Sequence, residues 1–158
     1  MLEGGIMANF GHVKTYTTIM NGGEITFRSL LEYRYAVYLT LLREQGHILE
    51  WTYEDEELSI EFQHGRYGNT RKYIPDFGVL NEDGEWEVHE TKGYFPPIDA
   101  TKIRAYREMA GNPFVLIFAK KPYGAQKRRA ERIEKHVTRV IWNADKELFK
   151  PIKHLFEV

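Results

Sequence analysis

Residues 14–20 and 24–27 are β-rich runs on either side of Asn21-Gly22-Gly23, so the chain is expected to open on a small hairpin. The spacing turns helical over residues 28–45, where Leu30, Leu31, Tyr35, Tyr38, Leu39, Leu41 and Leu42 give a broad apolar face and Gly46 a stop. Residues 48–62 read as a long or broken strand in which Leu58, Ile60 and Phe62 alternate with Ser59 and Glu61, and residues 65–70 as a loop. A second hairpin is predicted over 73–93. Its first arm sets Tyr73, Pro75, Phe77 and Val79 against Ile74, Asp76, Gly78 and Leu80, and its second puts Trp86, Val88, Glu90 and Lys92 on one side. Pro96-Pro97 then interrupts the chain, Asp99 is placed to cap a helix over 100–110, and Gly111 ends it. The apolar run 114–119 has the form of a buried strand. Strand, helix and strand across 85–119 make a right-handed crossover between parallel strands, so the expected class is α/β with a mixed central sheet flanked by helices. A further helix is predicted over 125–136 and a strand over 137–142, with no element assigned from 146 onward. Residues 1–12 show no periodicity and read as a flexible leader, Met7 being an alternative start.

The 73–93 hairpin carries the chemistry. Glu82-Asp83-Gly84 fits a three-residue loop whose third position is left-handed, which pairs Asn81 with Glu85. Counting outward sets Asp76 opposite Glu90 on one face, with Cβ atoms about 5 Å apart. Two carboxylates that close repel each other unless a cation lies between them. Lys92 supplies one charge, and a hard divalent ion such as Mg²⁺ or Mn²⁺ suits the rest, since it takes one or two carboxylates and keeps waters and phosphate as its other ligands. Those are the parts that phosphodiester hydrolysis needs.

Composition narrows the class. The chain has 158 residues, 42% hydrophobic and 14% aromatic, which suits one globular domain, read as 1–158. No apolar run is long enough for a membrane span or secretory signal, so the expectation is a soluble cytoplasmic protein with no membrane partner. The absence of cysteine excludes disulfides, thiolate zinc sites and cysteine-bound iron–sulfur clusters. The formal net charge is only −1 but unevenly spread. Residues 50–61 hold six acids and no Lys or Arg, whereas residues 120–139 hold eight Lys or Arg against Glu131 and Glu134. Lys127, Arg128, Arg129 and Arg132 in that segment are candidate phosphate-backbone contacts, although Lys127–Glu131 and Glu131–Lys135 equally suit a solvated helix. Lys102 and Arg104 are candidates of the same kind on the helix after Pro97, against the plainer reading as solvated surface cations. Tyr73 and Tyr94 flank the hairpin, to stack on splayed bases or to pack at the core and rim. His89 should face away from the carboxylates.

Pro75-Asp76, followed after thirteen residues by Glu90-Thr91-Lys92, resembles the motif of the PD-(D/E)XK nuclease superfamily. The segment Gly23-Glu24-Ile25-Thr26-Phe27-Arg28-Ser29-Leu30-Leu31-Glu32 is similar to the opening of that superfamily's small phage-type nucleases, in which an acidic residue of the first helix joins the metal site. The resemblance covers roughly residues 20–118. It implies a restriction-endonuclease-like core and Mg²⁺- or Mn²⁺-dependent cleavage of DNA, in phage-type recombination or junction resolution, often by a homodimer. Asp76 and Glu90 would ligate the metal, Thr91 would add its backbone carbonyl, Glu32 would be an outer ligand, and Lys92 would orient or activate the water. Glu32 has a second reading as the third residue of a Ser29-x-x-Glu32 capping box. The rival functions are a restriction or homing-type endonuclease and a non-catalytic nucleic-acid-binding protein of the same fold.

Overall fold

The computed structural model describes residues 6–10 and 13–156. Strands β1 (Ile6–Phe10), β2 (Val13–Met20) and β3 (Gly23–Phe27) form an antiparallel sheet in chain order. The β2–β3 turn is the expected one, with Asn21 and Gly22 both at positive φ, 55° and 86°, which this dipeptide adopts at least cost. Strand β1 corrects the reading of 1–12 as a leader, since it pairs with β2 from Ile6↔Thr17 to Phe10↔Val13. Its ladder is made by backbone groups, which no side-chain period reports. Residues 1–5, 11 and 12 of the expected leader lie outside the described residues.

Helix α1 (Leu30–Glu44) starts where Ser29, in extended conformation, accepts the Glu32 N–H at 3.1 Å. What reads in sequence as one broken strand over 48–62 is β4 (Ile48–Tyr53), a 3₁₀ turn Glu56–Leu58, and β5 (Ile60–His64). The last of these pairs with β6 (Asn69–Tyr73) in a separate two-stranded hairpin, from Ile60↔Tyr73 to His64↔Asn69. Tyr73 therefore ends β6 instead of opening the next strand. Pro75 separates them, because it offers no N–H to a ladder and restricts the residue before it.

The central hairpin is β7 (Phe77–Asn81) and β8 (Trp86–Lys92). Helix α2 (Pro97–Met109) crosses over to β9 (Phe114–Phe118), parallel to β8 as expected. Asp99 does not cap α2: the helix begins two residues earlier, on a proline pre-set for the first turn, and no side chain caps it. Helix α3 (Gly124–Ile133), a 3₁₀ turn Glu134–His136 and β10 (Arg139–Ile141) complete a five-stranded mixed sheet of order β10-β9-β8-β7-β4. The unassigned C-terminal stretch forms a π-helical turn, Asp145–Phe149, and a 3₁₀ segment, Lys150–Leu155.

Alternation along the strands divides the core in two. Phe77, Val79, Val115 and Ile117 pack with Tyr35, Ala36 and Leu39 of α1. Val88, Phe114, Leu116 and Phe118 face Ile103 and Tyr106 of α2 and Ala130 and Ile133 of α3. This is the expected mixed sheet flanked by helices. Among the described residues, no helix is long and apolar enough to cross a membrane.

Candidate active site

The β7–β8 register is the one counted from the turn. Phe77 pairs with His89, Gly78 with Val88, Val79 with Glu87 and Leu80 with Trp86, and the Asn81 N–H donates to the Glu85 carbonyl at 2.9 Å. Gly84 takes φ 79° in the loop. One step beyond the strand, Asp76 faces Glu90, and its N–H donates to Glu90 Oε1 at 2.9 Å.

Asp76 and Glu90 are each only 5% exposed. Asp76 Oδ2 accepts both the N–H of Thr91 at 2.9 Å and its hydroxyl at 2.8 Å, and Oδ1 lies 3.3 Å from the Arg28 guanidinium. Hydrogen bonds to a charged group contribute about 1.5–3 kcal/mol each. Even so, burial, and after it the charges of Glu90 and Glu32, push Asp76 well above the usual carboxylate range. Burial and like charge together make the pair costly to ionise without a further cation. Lys92 Nζ sits 3.1 Å from Glu90 Oε2 and 3.0 Å from Asp99 Oδ2. Burial by itself would lower Lys92, but Glu90, Asp99 and Asp76 outweigh it and hold the ammonium above its ordinary value.

Glu32 is buried at the start of α1, and burial raises its pKa. Its backbone N–H serves the Ser29 cap, while its carboxylate accepts from the Ser29 hydroxyl at 3.2 Å, from the Tyr53 hydroxyl, and lies 3.8 Å from Arg28. The cap and the carboxylate are thus separate features of one residue. Arg28 also reaches Glu54 at 2.9 Å. Glu54 has φ 49°, rare for a residue with a side chain, and its N–H donates to the Asp76 carbonyl at 2.9 Å.

A cavity of about 320 Å³ opens on Asp76 and Glu90, with Arg28, Lys72, Lys92 and Lys102 in its wall. Among the described residues no three His, Cys, Asp or Glu side chains form a metal cluster. Two buried carboxylates in an open polar cavity nevertheless match the needs of a hard octahedral ion, which keeps most of its ligands as water or phosphate. The donor set is all oxygen; His89 points to the other face, where it meets the Tyr35 hydroxyl and Glu87.

The structure does not bring all candidates together. Lys102 lines the cavity, but Arg104 is exposed on α2 and is not part of its wall. On α3, Lys127, Arg128 and Arg132 are exposed, Lys127 lying 3.9 Å from Glu131. Arg129 is committed to the fold, donating to the Phe95 carbonyl at 2.6 Å. Tyr73 is buried and Tyr94 exposed. Sequence reasoning missed Arg28, Glu54, Lys72 and Asp99. A buried lysine beside one carboxylate invites a second, so Asp99, seven residues on, was the findable one.

No protein-family model matches the chain, and no curated protein matches it. A solved repair endonuclease from Pyrococcus abyssi is similar over 88% of this chain, with 15% identity and a TM-score of 0.37. The chain spans 64% of that protein's length. The functional reading rests on the side chains, not on that likeness.

Proposed function

We propose that this protein is a metal-dependent endonuclease that hydrolyses DNA phosphodiester bonds. The observation that carries the reading is the opposition of Asp76 and Glu90 across two paired strands, with Lys92 beside Glu90 in a cavity walled by cations. A bound Mg²⁺ or Mn²⁺ would be held by Asp76, Glu90 and the Thr91 carbonyl, with Glu32 further out, and would supply charge stabilisation on the phosphate and a more acidic water. Thr91 fixes the Asp76 carboxylate through two hydrogen bonds, so one oxygen keeps its position as charge builds up nearby. Lys92, with its ammonium against Glu90 and Asp99, is placed to donate a hydrogen bond that orients or activates the water or a phosphate oxygen. Asp99 holds that ammonium in place. Arg28, Lys72 and Lys102 attract the phosphate backbone into the cavity. Branched recombination intermediates and a homodimeric working form are the finer expectations carried by the sequence resemblance.

The test is incubation with supercoiled plasmid and with branched junction DNA, in Mg²⁺, Mn²⁺, Ca²⁺ and excess chelator. Cutting is expected with the first two, and binding without fast cutting in Ca²⁺, whose looser coordination activates water poorly. Undiminished cutting in chelator would overturn the metal. DNA binding with no cutting under any condition would favour the non-catalytic reading.

A further inference from the structure

We propose that the surface next to Lys92 binds an unpaired DNA strand, so that the preferred substrate carries a single-stranded branch beside the cut. The inference takes its occupant from the endonuclease reading and its place from the fold. Strands β8 and β9 are parallel neighbours, Lys92 pairs with Phe118, and the Ala119 N–H donates to the Lys92 carbonyl at 3.1 Å. The segments leaving these strands, 93–96 and 119–123, thus emerge together at the end of the sheet where the cavity opens. Each carries a tyrosine the fold leaves outside: Tyr94 is 65% exposed and Tyr123 is 81% exposed.

Both rings stand on anchored backbone. Phe95 is fully buried, its N–H donates to Gln126 Oε1 at 2.7 Å, and its carbonyl accepts from Arg129 at 2.6 Å. These bonds fasten the Tyr94 loop to α3, the helix for which Tyr123 is the N-terminal cap residue. Exposed Lys120, Lys121 and Arg128 accompany the rings. Aromatic faces set among cations suit an unpaired strand, because every free base has a face to stack and every linkage a charge to meet. A closed duplex offers such rings only its backbone, where they gain little. Charge complementarity with phosphate selects nucleic acid over a protein partner, and Lys92, which lines the cavity, stands two residues before Tyr94.

The experiment measures binding of the full chain, in Ca²⁺, to a blunt duplex and to the same duplex bearing an unpaired oligo(dT) branch with 2-aminopurine in it. The wild type should prefer the branched duplex and quench the probe. Tyr94→Ala and Tyr123→Ala should each lower that preference about tenfold, the worth of one stacked base, and Tyr94→Phe and Tyr123→Phe should keep it. Melting temperatures check folding, and Tyr94→Lys with Tyr123→Lys gives a second pair that removes the rings while adding charge. Equal wild-type affinity for the two duplexes, or full preference in either ring-less pair, overturns the proposal. Cutting in Mg²⁺ is scored separately: branch preference without cutting supports this surface and overturns the endonuclease reading, whereas cutting without branch preference does the reverse.

Discussion

Asp76 and Glu90 are linked twice, by like charge through space and by the Asp76 N–H on the Glu90 carboxylate. The two links separate charge from framework in a mutant. Asp76→Asn keeps an oxygen for Thr91 and removes the charge, so its metal-free form should melt at or above the wild type. It should lose cleavage and gain no melting temperature from Mg²⁺, both readable in one thermal-shift and plasmid-nicking series. Lys92→Ala should slow cleavage on the order of 10²-fold at saturating metal and DNA, as the loss of one proton-positioning group does. A wild-type rate would make Lys92 a structural counter-charge. Glu32→Gln leaves the Ser29 cap on the backbone N–H untouched. Its melting temperature should match the wild type while its cleavage falls and needs more Mg²⁺; normal cutting would confine the site to Asp76, Glu90 and Lys92.

At the scale of elements, β7 and β8 hold the pair because a two-residue alternation and a fixed turn leave one register. Gly78 is where this hairpin meets a neighbour from elsewhere in the chain. A Cβ there would stand 2.4 Å from Leu58 Cδ1 and 2.6 Å from Thr52 Oγ1. Leu58 can swing aside, but Thr52 is branched at Cβ and sits on the paired strand β4. Gly78→Ala should therefore cost about 1–3 kcal/mol by overpacking, measured by urea denaturation. Its register is unchanged, so residual folded protein should still cut DNA.

For the whole molecule, the two faces of the sheet respond to pH in opposite senses. On the α1 face, hydrogen bonding from His89 leads in holding Glu87 at about 2, and burial lowers His89. Both values are depressed, so the stability they contribute is full above the unfolded values of 6.5 and 4.5 and is lost as pH falls. Glu87→Gln should flatten the acid limb of a stability–pH curve between pH 4.5 and 2. On the α2 face, burial raises Asp76, and it also raises Glu32 nearby. A raised carboxylate contributes stability at low pH that is lost as pH rises through its folded value. Ion binding needs both groups deprotonated, so the melting-temperature gain from Mg²⁺ should grow as pH rises above the ordinary carboxylate range. A gain independent of pH would count against carboxylate ligands.

Local features alone were enough for the hairpin register, the extent of α1 to within two residues at its start and one at its end, the β8–α2–β9 crossover and the pairing of Asp76 with Glu90, because turn chemistry and side-chain period act within a few residues. Tertiary structure decided what depends on neighbours distant in sequence. Strand β1 exists because β2 offers it a ladder, and Tyr73 belongs to β6 because β5 lies beside it. Asp99 has the residue type of a helix cap, yet a buried ammonium from β8 draws its carboxylate into an ion pair. Arg28 reads in sequence as the first residue of a helix, yet it stands before α1 and reaches Asp76, 48 residues away, because α1 starts at the end of the sheet where β7 begins. Charge inside a fold goes to the nearest opposite charge, and only the folded chain determines which groups are near.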